Sequence, residues 1–281
     1  MIKDILVHVP TEHPQQPVID ASVSLATSFG AHLDALAIGY ISKATSYAPP
    51  EPDAASAVAA VFEAERETAT ERAATALATF ETEARNAGIA YASHPTADFA
   101  ANAAVSIGAA ARLYDLAIVL QPEAERETFD NTIPREILFQ AGGPVLFIPH
   151  IFRGAFKAKR IGICWDGSRL AARALRDARP FLAQADTLVA ISINGADSTP
   201  AEASADKLAK HLALAGLPVR IIELPAARAE IQPSILSLAA DENLDMLVMG
   251  AYGHSRLQEG LLGGVTRAML RTMTVPTLMS H

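Results

Sequence analysis

The chain repeats itself, and this constrains its fold more than any other feature of its 281 residues. Lys3-Asp4-Ile5-Leu6-Val7-His8-Val9-Pro10 is answered by Lys159-Arg160-Ile161-Gly162-Ile163-Cys164-Trp165-Asp166. Each is a polar start followed by an apolar, β-branched run of strand length. Tyr114-Asp115-Leu116-Ala117-Ile118-Val119 matches Leu244-Asp245-Met246-Leu247-Val248-Met249, continuous apolar runs that suit strands buried on both faces of a parallel sheet. Pro144-Val145-Leu146-Phe147-Ile148 and Pro276-Thr277-Leu278-Met279 close the two halves. Three matches in the same order indicate an internal duplication. Glycine and basic residues interrupt the pattern near 152–158, which predicts one domain over 1–152 and a second over 153–281.

Helical segments alternate with these strands. In the second half Ser168 caps a helix running to about Ala183. Leu170, Ala174, Leu175, Ala178, Phe181 and Leu182 fall on one side of it and Arg169, Arg173 and Arg176 on the other. A strand over 187–193 follows, then a helix over 201–215 stopped by Gly216, a strand over 219–224 and a helix over 231–241. The strand 244–249, a helix over 265–272 and a strand over 275–279 complete the half. Such alternation with short connections calls for an α/β fold: two tandem, open, parallel-sheet, Rossmann-like domains with helices on both faces. The first half repeats the order with a longer second helix over 54–87, preceded by a loop at Pro49-Pro50-Glu51-Pro52.

Composition narrows the function classes. Apolar residues make up 50% and charged residues 19%, which excludes a disordered chain. A net charge of −8 gives no general attraction to nucleic acid or an anionic membrane. No run of 18 uninterrupted apolar residues marks a membrane span, and the N-terminus lacks a secretory h-region. Cys164 is the single cysteine, so an internal disulfide and a cysteine-based metal cluster are excluded. These features predict a soluble cytoplasmic protein.

The informative stretch is Gly250-Ala251-Tyr252-Gly253-His254-Ser255-Arg256, continuing through Gly260 to Gly263-Gly264-Val265-Thr266. It follows a buried strand and precedes a helix, where open α/β sheets bind their ligands. Glycine there admits a close ligand, and 263–266 would offer free N–H groups at a helix N-terminus. Taken alone, the cluster is equally compatible with a loop that merely turns the chain.

The spacing G-x2-G-x9-G at Gly250, Gly253 and Gly263 resembles the ATP-binding signature of the universal stress protein family. Asp166-Gly167-Ser168 after the first strand and Thr274-Val275-Pro276-Thr277-Leu278 at the end are similar to the family's other signatures. The resemblance covers nearly the whole chain as two copies of the domain, and it is far stronger in the second copy. It implies a tandem member that binds ATP or another adenine nucleotide, with Mg2+ on the phosphates left open. Asp166 would meet the ribose or the metal-bound phosphates, and Ser192 would offer its backbone to adenine. Met249 and Gly250 would flank the adenosine. Gly253, Gly263, Gly264, Val265 and Thr266 would cradle the phosphates, with His254 and Arg256 within reach. ATP-binding members usually carry Ser or Thr where this chain has Gly264. The missing hydroxyl is worth about 0.5–1.5 kcal/mol, or more toward a charged acceptor.

The first half does not keep this site. Pro10 stands where the second copy has Asp166, and Leu120-Gln121-Pro122-Glu123 stands where it has Gly250-Ala251-Tyr252-Gly253. Glu123, Glu125, Glu127 and Asp130 face one Arg126, a loop that would repel phosphate. This half is expected to be a structural partner or a site for something other than a nucleotide. His8, Glu12, His13 and His150 match no dedicated zinc spacing. The resemblance also predicts that the halves pack as an intramolecular pseudo-dimer through their last strands, with a homodimer of chains and an unidentified protein partner left open. Three functions remain: a nucleotide-dependent stress or signalling module, a slow ATP hydrolase or phosphotransferase, and a scaffold with both sites dead. No G-x4-G-K-[ST] loop occurs and no lysine lies in 250–264, so rapid phosphoryl transfer is not called for.

Overall fold

The computed structural model describes residues 1–42, 52–123, 125–195, 199–252 and 264–281, with 52–55 described at the backbone only. The first half runs β1 (Asp4–His8), α1 (Gln16–Phe29), β2 (His32–Tyr40), α2 (Pro52–Asn86), β3 (Tyr91–Asp98), α3 (Ala100–Ala110), β4 (Leu116–Leu120), α4 (Ile133–Gln140) and β5 (Val145–Ile148). The second runs β6 (Arg160–Cys164), α5 (Arg169–Asp177), α6 (Arg179–Leu182), β7 (Thr187–Ile193), α7 (Ala205–Leu214), β8 (Arg220–Leu224), α8 (Ile231–Asp241), β9 (Met246–Gly250), α9 (Val265–Thr272) and β10 (Thr277–Ser280).

The two halves build one 10-stranded sheet, in the order β3-β2-β1-β4-β5-β10-β9-β6-β7-β8. Within each half every pairing is parallel, and the halves meet where β5 and β10 pair antiparallel, Leu146 opposite Leu278. In each half the first strand lies between the second and the fourth, so the chain reverses direction across the sheet at β1/β4 and at β6/β9. Alternate strand residues supply the two faces. Ile5, Val7, Leu33, Ile161 and Ile163 join α1, α2 and α5 to α7 on one side, while Leu6, Ile38, Val119, Leu247 and Met249 join α3, α4, α8 and α9 on the other. Each core is continuous across both halves. Fully enclosed side chains such as Phe80, Phe147 and Phe181 each stabilise by about 1.5–3 kcal/mol. The segment near 152–158 is held too: Phe156 is buried against Phe181, and its N–H donates to Ser24 Oγ at 2.8 Å.

Three local expectations need correction. The helix from Ser168 is interrupted at Ala178, because Pro180 brings no N–H and its ring crowds the preceding turn. The helix expected over 201–215 starts at Ala205, where the Ser204 hydroxyl caps it by accepting from Lys207 N–H; 201–203 form a separate 3-10 turn. Pro52 is the first helical residue of α2 rather than loop; 49–51 lie outside the described residues.

Candidate functional site at the carboxyl ends of β6 and β9

The reversal at β6/β9 opens a crevice beyond the carboxyl ends of these strands. One wall is the turn after β6. Asp166 is exposed there and its Oδ1 accepts the Ser168 N–H at 2.9 Å, an Asx turn. Gly167 follows with φ +72°, a left-handed conformation that suits glycine. Ser168 then caps α5 by accepting the Ala171 N–H at 3.1 Å. Beneath this turn Trp165 is buried and its Nε1–H donates to Ala203 O at 2.7 Å. The Cys164 thiol is pushed up to about 12, first by burial and then by the Asp166 carboxylate, so it stays protonated.

The opposite wall is the end of β9. Met249 is buried and Gly250 closes the strand. A methyl group on Gly250 would stand 2.6 Å from both the Ala171 nitrogen and the Leu170 carbonyl carbon. Glycine at this position therefore lets the first turn of α5 settle on the strand end. Tyr252 adopts φ +57°, and its N–H donates to the Thr266 hydroxyl at 3.1 Å. Thr266 is thus buried as a tie between the strand exit and α9. Gly264 is the N-cap of α9, extended at φ −68° and ψ 159°, with no side-chain cap and no acidic residue in the first turn. The amides at that end are the donors an anion would use, and partly buried Val265 is the first helical residue.

Asp166 thus follows β6 and Gly250 closes its parallel neighbour β9, while Gly264 and Thr266 open α9, which Thr266 ties to the β9 exit at Tyr252. Ser192 lies near the end of β7, 1% exposed, with its hydroxyl beneath Gly195 and unpartnered among the described residues. Gly253, His254, Arg256 and Gly263 lie outside the described residues. Of the arginine stripe, Arg173 donates to Gly142 O of the first half and pairs with Asp177, whereas Arg169 and Arg176 are exposed.

The corresponding edge of the first half is filled by its own side chains. Asp130 is 3% exposed, and its Oδ2 accepts Thr11 N–H at 2.8 Å and Glu12 N–H at 2.7 Å, while Oδ1 accepts the Tyr40 hydroxyl at 2.7 Å. Burial and the Asp130 carboxylate push the Tyr40 phenol well above its ordinary range. Glu12 reciprocates, accepting the N–H groups of Phe129 and Asp130 at 2.7 and 3.2 Å. His8 lies 3.6 Å from Asp130, and His13 Nδ1 lies 3.2 Å from Glu123. The amides after β1 are therefore already taken by carboxylates, and Glu12, Glu123 and Glu127 line the hollow above them. Sequence reading singled out His8, Glu12, His13 and His150, and counted Asp130 only among the acids of a phosphate-repelling loop, not as the hub it is. Its partners stand 90 to 119 residues away, and no local pattern announces them.

Residues 157–281 match the family model of the universal stress proteins. No curated protein matches the chain. Among solved structures the chain is similar to a universal stress protein from Archaeoglobus fulgidus, with 16% identity, a TM-score of 0.70, and 98% of this chain and 95% of that one covered. It is also similar to a candidate universal stress protein from Pseudomonas aeruginosa, with 16% identity, a TM-score of 0.60 and coverage of 99% and 93%. A third likeness is to the cytoplasmic domain of a prokaryotic cation chloride cotransporter, with 12% identity, a TM-score of 0.50 and coverage of 99% and 95%. At these identities the likeness shows the shared fold, which hosts more than one role.

Proposed function

Through residues 157–281 this chain belongs to the universal stress protein family, and from that premise we propose that its C-terminal half binds ATP, or another adenine nucleotide, as a stress-response or signalling module. The observation that carries the reading is the crevice at the β6/β9 reversal. There β6 and β9 pair in parallel and carry at their carboxyl ends the exposed Asp166 and the strand-ending Gly250, on which α5 is seated. Tyr252 ties the β9 exit to the start of α9, which Gly264 caps without a side chain. The chemistry fits a nucleotide: amides at a helix start stabilise phosphate charge, and a carboxylate beside them suits a ribose hydroxyl or a phosphate-bound Mg2+. Ser192, Met249 and Val265, with Gly253, His254 and Gly263 of the glycine loop, complete the proposed binding set. The first half carries no such set, since Asp130 and Glu12 occupy the amides at its equivalent edge, and we assign it the role of structural partner. We take 1–152 and 153–281 as the two domains, paired within the chain. We place the protein in the cytoplasm, working through an unidentified protein partner; no described helix is long and apolar enough to cross a membrane.

The test is to purify the protein natively, denature it and identify released nucleotide by mass spectrometry. Retained ATP, with a rise in Tm on adding ATP that Asp166→Ala reduces, is the expected result. Retained ADP with turnover lost in Asp166→Ala would instead favour a hydrolase. No retained nucleotide and no thermal shift would leave the scaffold reading standing and end this one.

A further inference from the structure

A cluster of side chains at the amino edge of the first half has no part in the nucleotide reading. We propose that Asp4, His32, Asp34 and His94 form a binding site for a divalent transition-metal ion of the zinc class. Three adjacent strands supply the donors. Asp4 opens β1 directly opposite His32 of β2, Asp34 stands two residues further along the same face, and His94 reaches in from β3. His32 Nδ1 lies 3.3 Å from Asp4 Oδ1 and 3.9 Å from Asp34 Oδ1, and His94 Nε2 lies 3.4 Å from Asp34 Oδ1. Asp4, His32 and Asp34 each place a donor atom within 4.8 Å of the other two. Two ligands about 2.0–2.1 Å from one tetrahedral zinc ion stand about 3.3 Å apart. The pairs of His32 with Asp4 and of His94 with Asp34 already have that spacing. The pair of His32 with Asp34 must close from 3.9 Å, and His94 joins the three through Asp34. Two imidazoles with two carboxylates suit zinc, cobalt or nickel and disfavour the hard, all-oxygen cations.

The support around the cluster is that of a metal site as well. The Tyr114 hydroxyl donates to Asp34 Oδ2 at 2.6 Å, which fixes one oxygen and leaves Oδ1 facing both imidazoles. Asp115 accepts the N–H groups of Lys3 and Asp4 at 2.7 and 3.1 Å and so holds the start of β1. Strand positions are more exact than loop positions for such a set. The fold itself does not require these residues. Register places Arg160 and Thr187 in the second half where the first has Asp4 and His32, Val189 where it has Asp34, and Ile222 where it has His94. Leu244 takes the place of Tyr114, since Asp245 N–H donates to Arg160 O as Asp115 N–H does to Asp4 O. The first half thus carries three converging donors, a fourth that reaches them through Asp34, and an orienting hydroxyl, and the second half has none of these residues at the matching positions.

The test uses untagged full-length protein freed of metal by a chelator. Co2+ is titrated with visible absorption as the readout, and Zn2+ by calorimetry. The expected result is one equivalent bound with the absorption of a tetrahedral Co2+ centre. His32→Ala and His94→Gln should each weaken binding at least about ten-fold, and Tyr114→Phe about ten-fold through loss of its orienting bond. His32, His94 and Asp4 are half-exposed, so circular dichroism and Tm should stay unchanged in the variants. His13→Gln is the control and should bind normally. Absence of saturable binding, or binding that survives His32→Ala, would reduce the cluster to two imidazole–carboxylate hydrogen bonds. Loss of binding in His13→Gln alone would place the ion among the histidines at the opposite edge. Either result overturns the proposal.

Discussion

Gly250 and His8 are single residues whose environments fix what replacement would do. At Gly250 the first turn of α5 leaves no space for a methyl group. Gly250→Ala should cost roughly 1–3 kcal/mol by overpacking. It should also displace the Asp166 turn, so Tm and ATP affinity fall together; a variant with unchanged Tm would show that α5 is not seated as described. His8 is 1% exposed, and its imidazole is held below the ordinary value of 6.5, first by burial and then by His13, with Asp130 pulling the other way. The unfolded chain takes up a proton near pH 6.5 that the folded chain refuses. Stability is therefore full above that pH and declines as pH falls below it. His8→Gln should flatten the fall in Tm between about pH 7 and pH 5; an equally steep fall would assign it to other groups.

At the scale of elements, α9 is the helix whose start decides the nucleotide reading. Gly264 has an extended backbone that any residue adopts, and it caps α9 without a side chain. Gly264→Ser should add a few tenths of a kcal/mol to stability by capping. It should also tighten ATP binding about two- to ten-fold by restoring a hydroxyl. Calorimetric titration checks this, and equal affinities would mean that residue 264 does not face the phosphates. Most elements could be read before the structure because strands buried on both faces, such as β4 and β9, are unbroken apolar runs. α8 and α9 fall at their expected bounds. The interruption at Ala178 was legible in Pro180, and the cap of α7 in Ser204, but an unbroken apolar stripe over 170–182 and the alanines after Pro200 outweighed them. Asp130 was legible only as one acid in an acidic loop. Its meaning comes from Tyr40 and Thr11, which only the folded sheet brings to it.

Over the whole molecule, the seam between β5 and β10 makes the halves one body. Phe139 of α4 packs on Tyr252 and His281 with ring centres 4.9 and 4.7 Å apart, and Gln121 Nε2 donates to Leu270 O at 3.0 Å. The first half therefore braces the strand exit that leads into the glycine loop. Phe139→Ala, a change in the half assigned no nucleotide, should lower stability by about 1–3 kcal/mol and weaken ATP binding in the other half several-fold. A lowered Tm with unchanged affinity would confine the seam to a structural role.

The antiparallel join has a geometric consequence. Because the second half runs head to tail against the first, the carboxyl ends of its strands lie along the same border of the sheet as the amino ends of the first half's strands. Asp166 and Gly250 therefore share a rim with Asp4 and His32, separated by about five strand spacings, roughly 25 Å. The knot around Asp130 faces the other way. The two borders of the sheet are therefore chemically unlike: one carries Asp166, Gly250 and the histidine–aspartate cluster, the other the carboxylate knot of the first half.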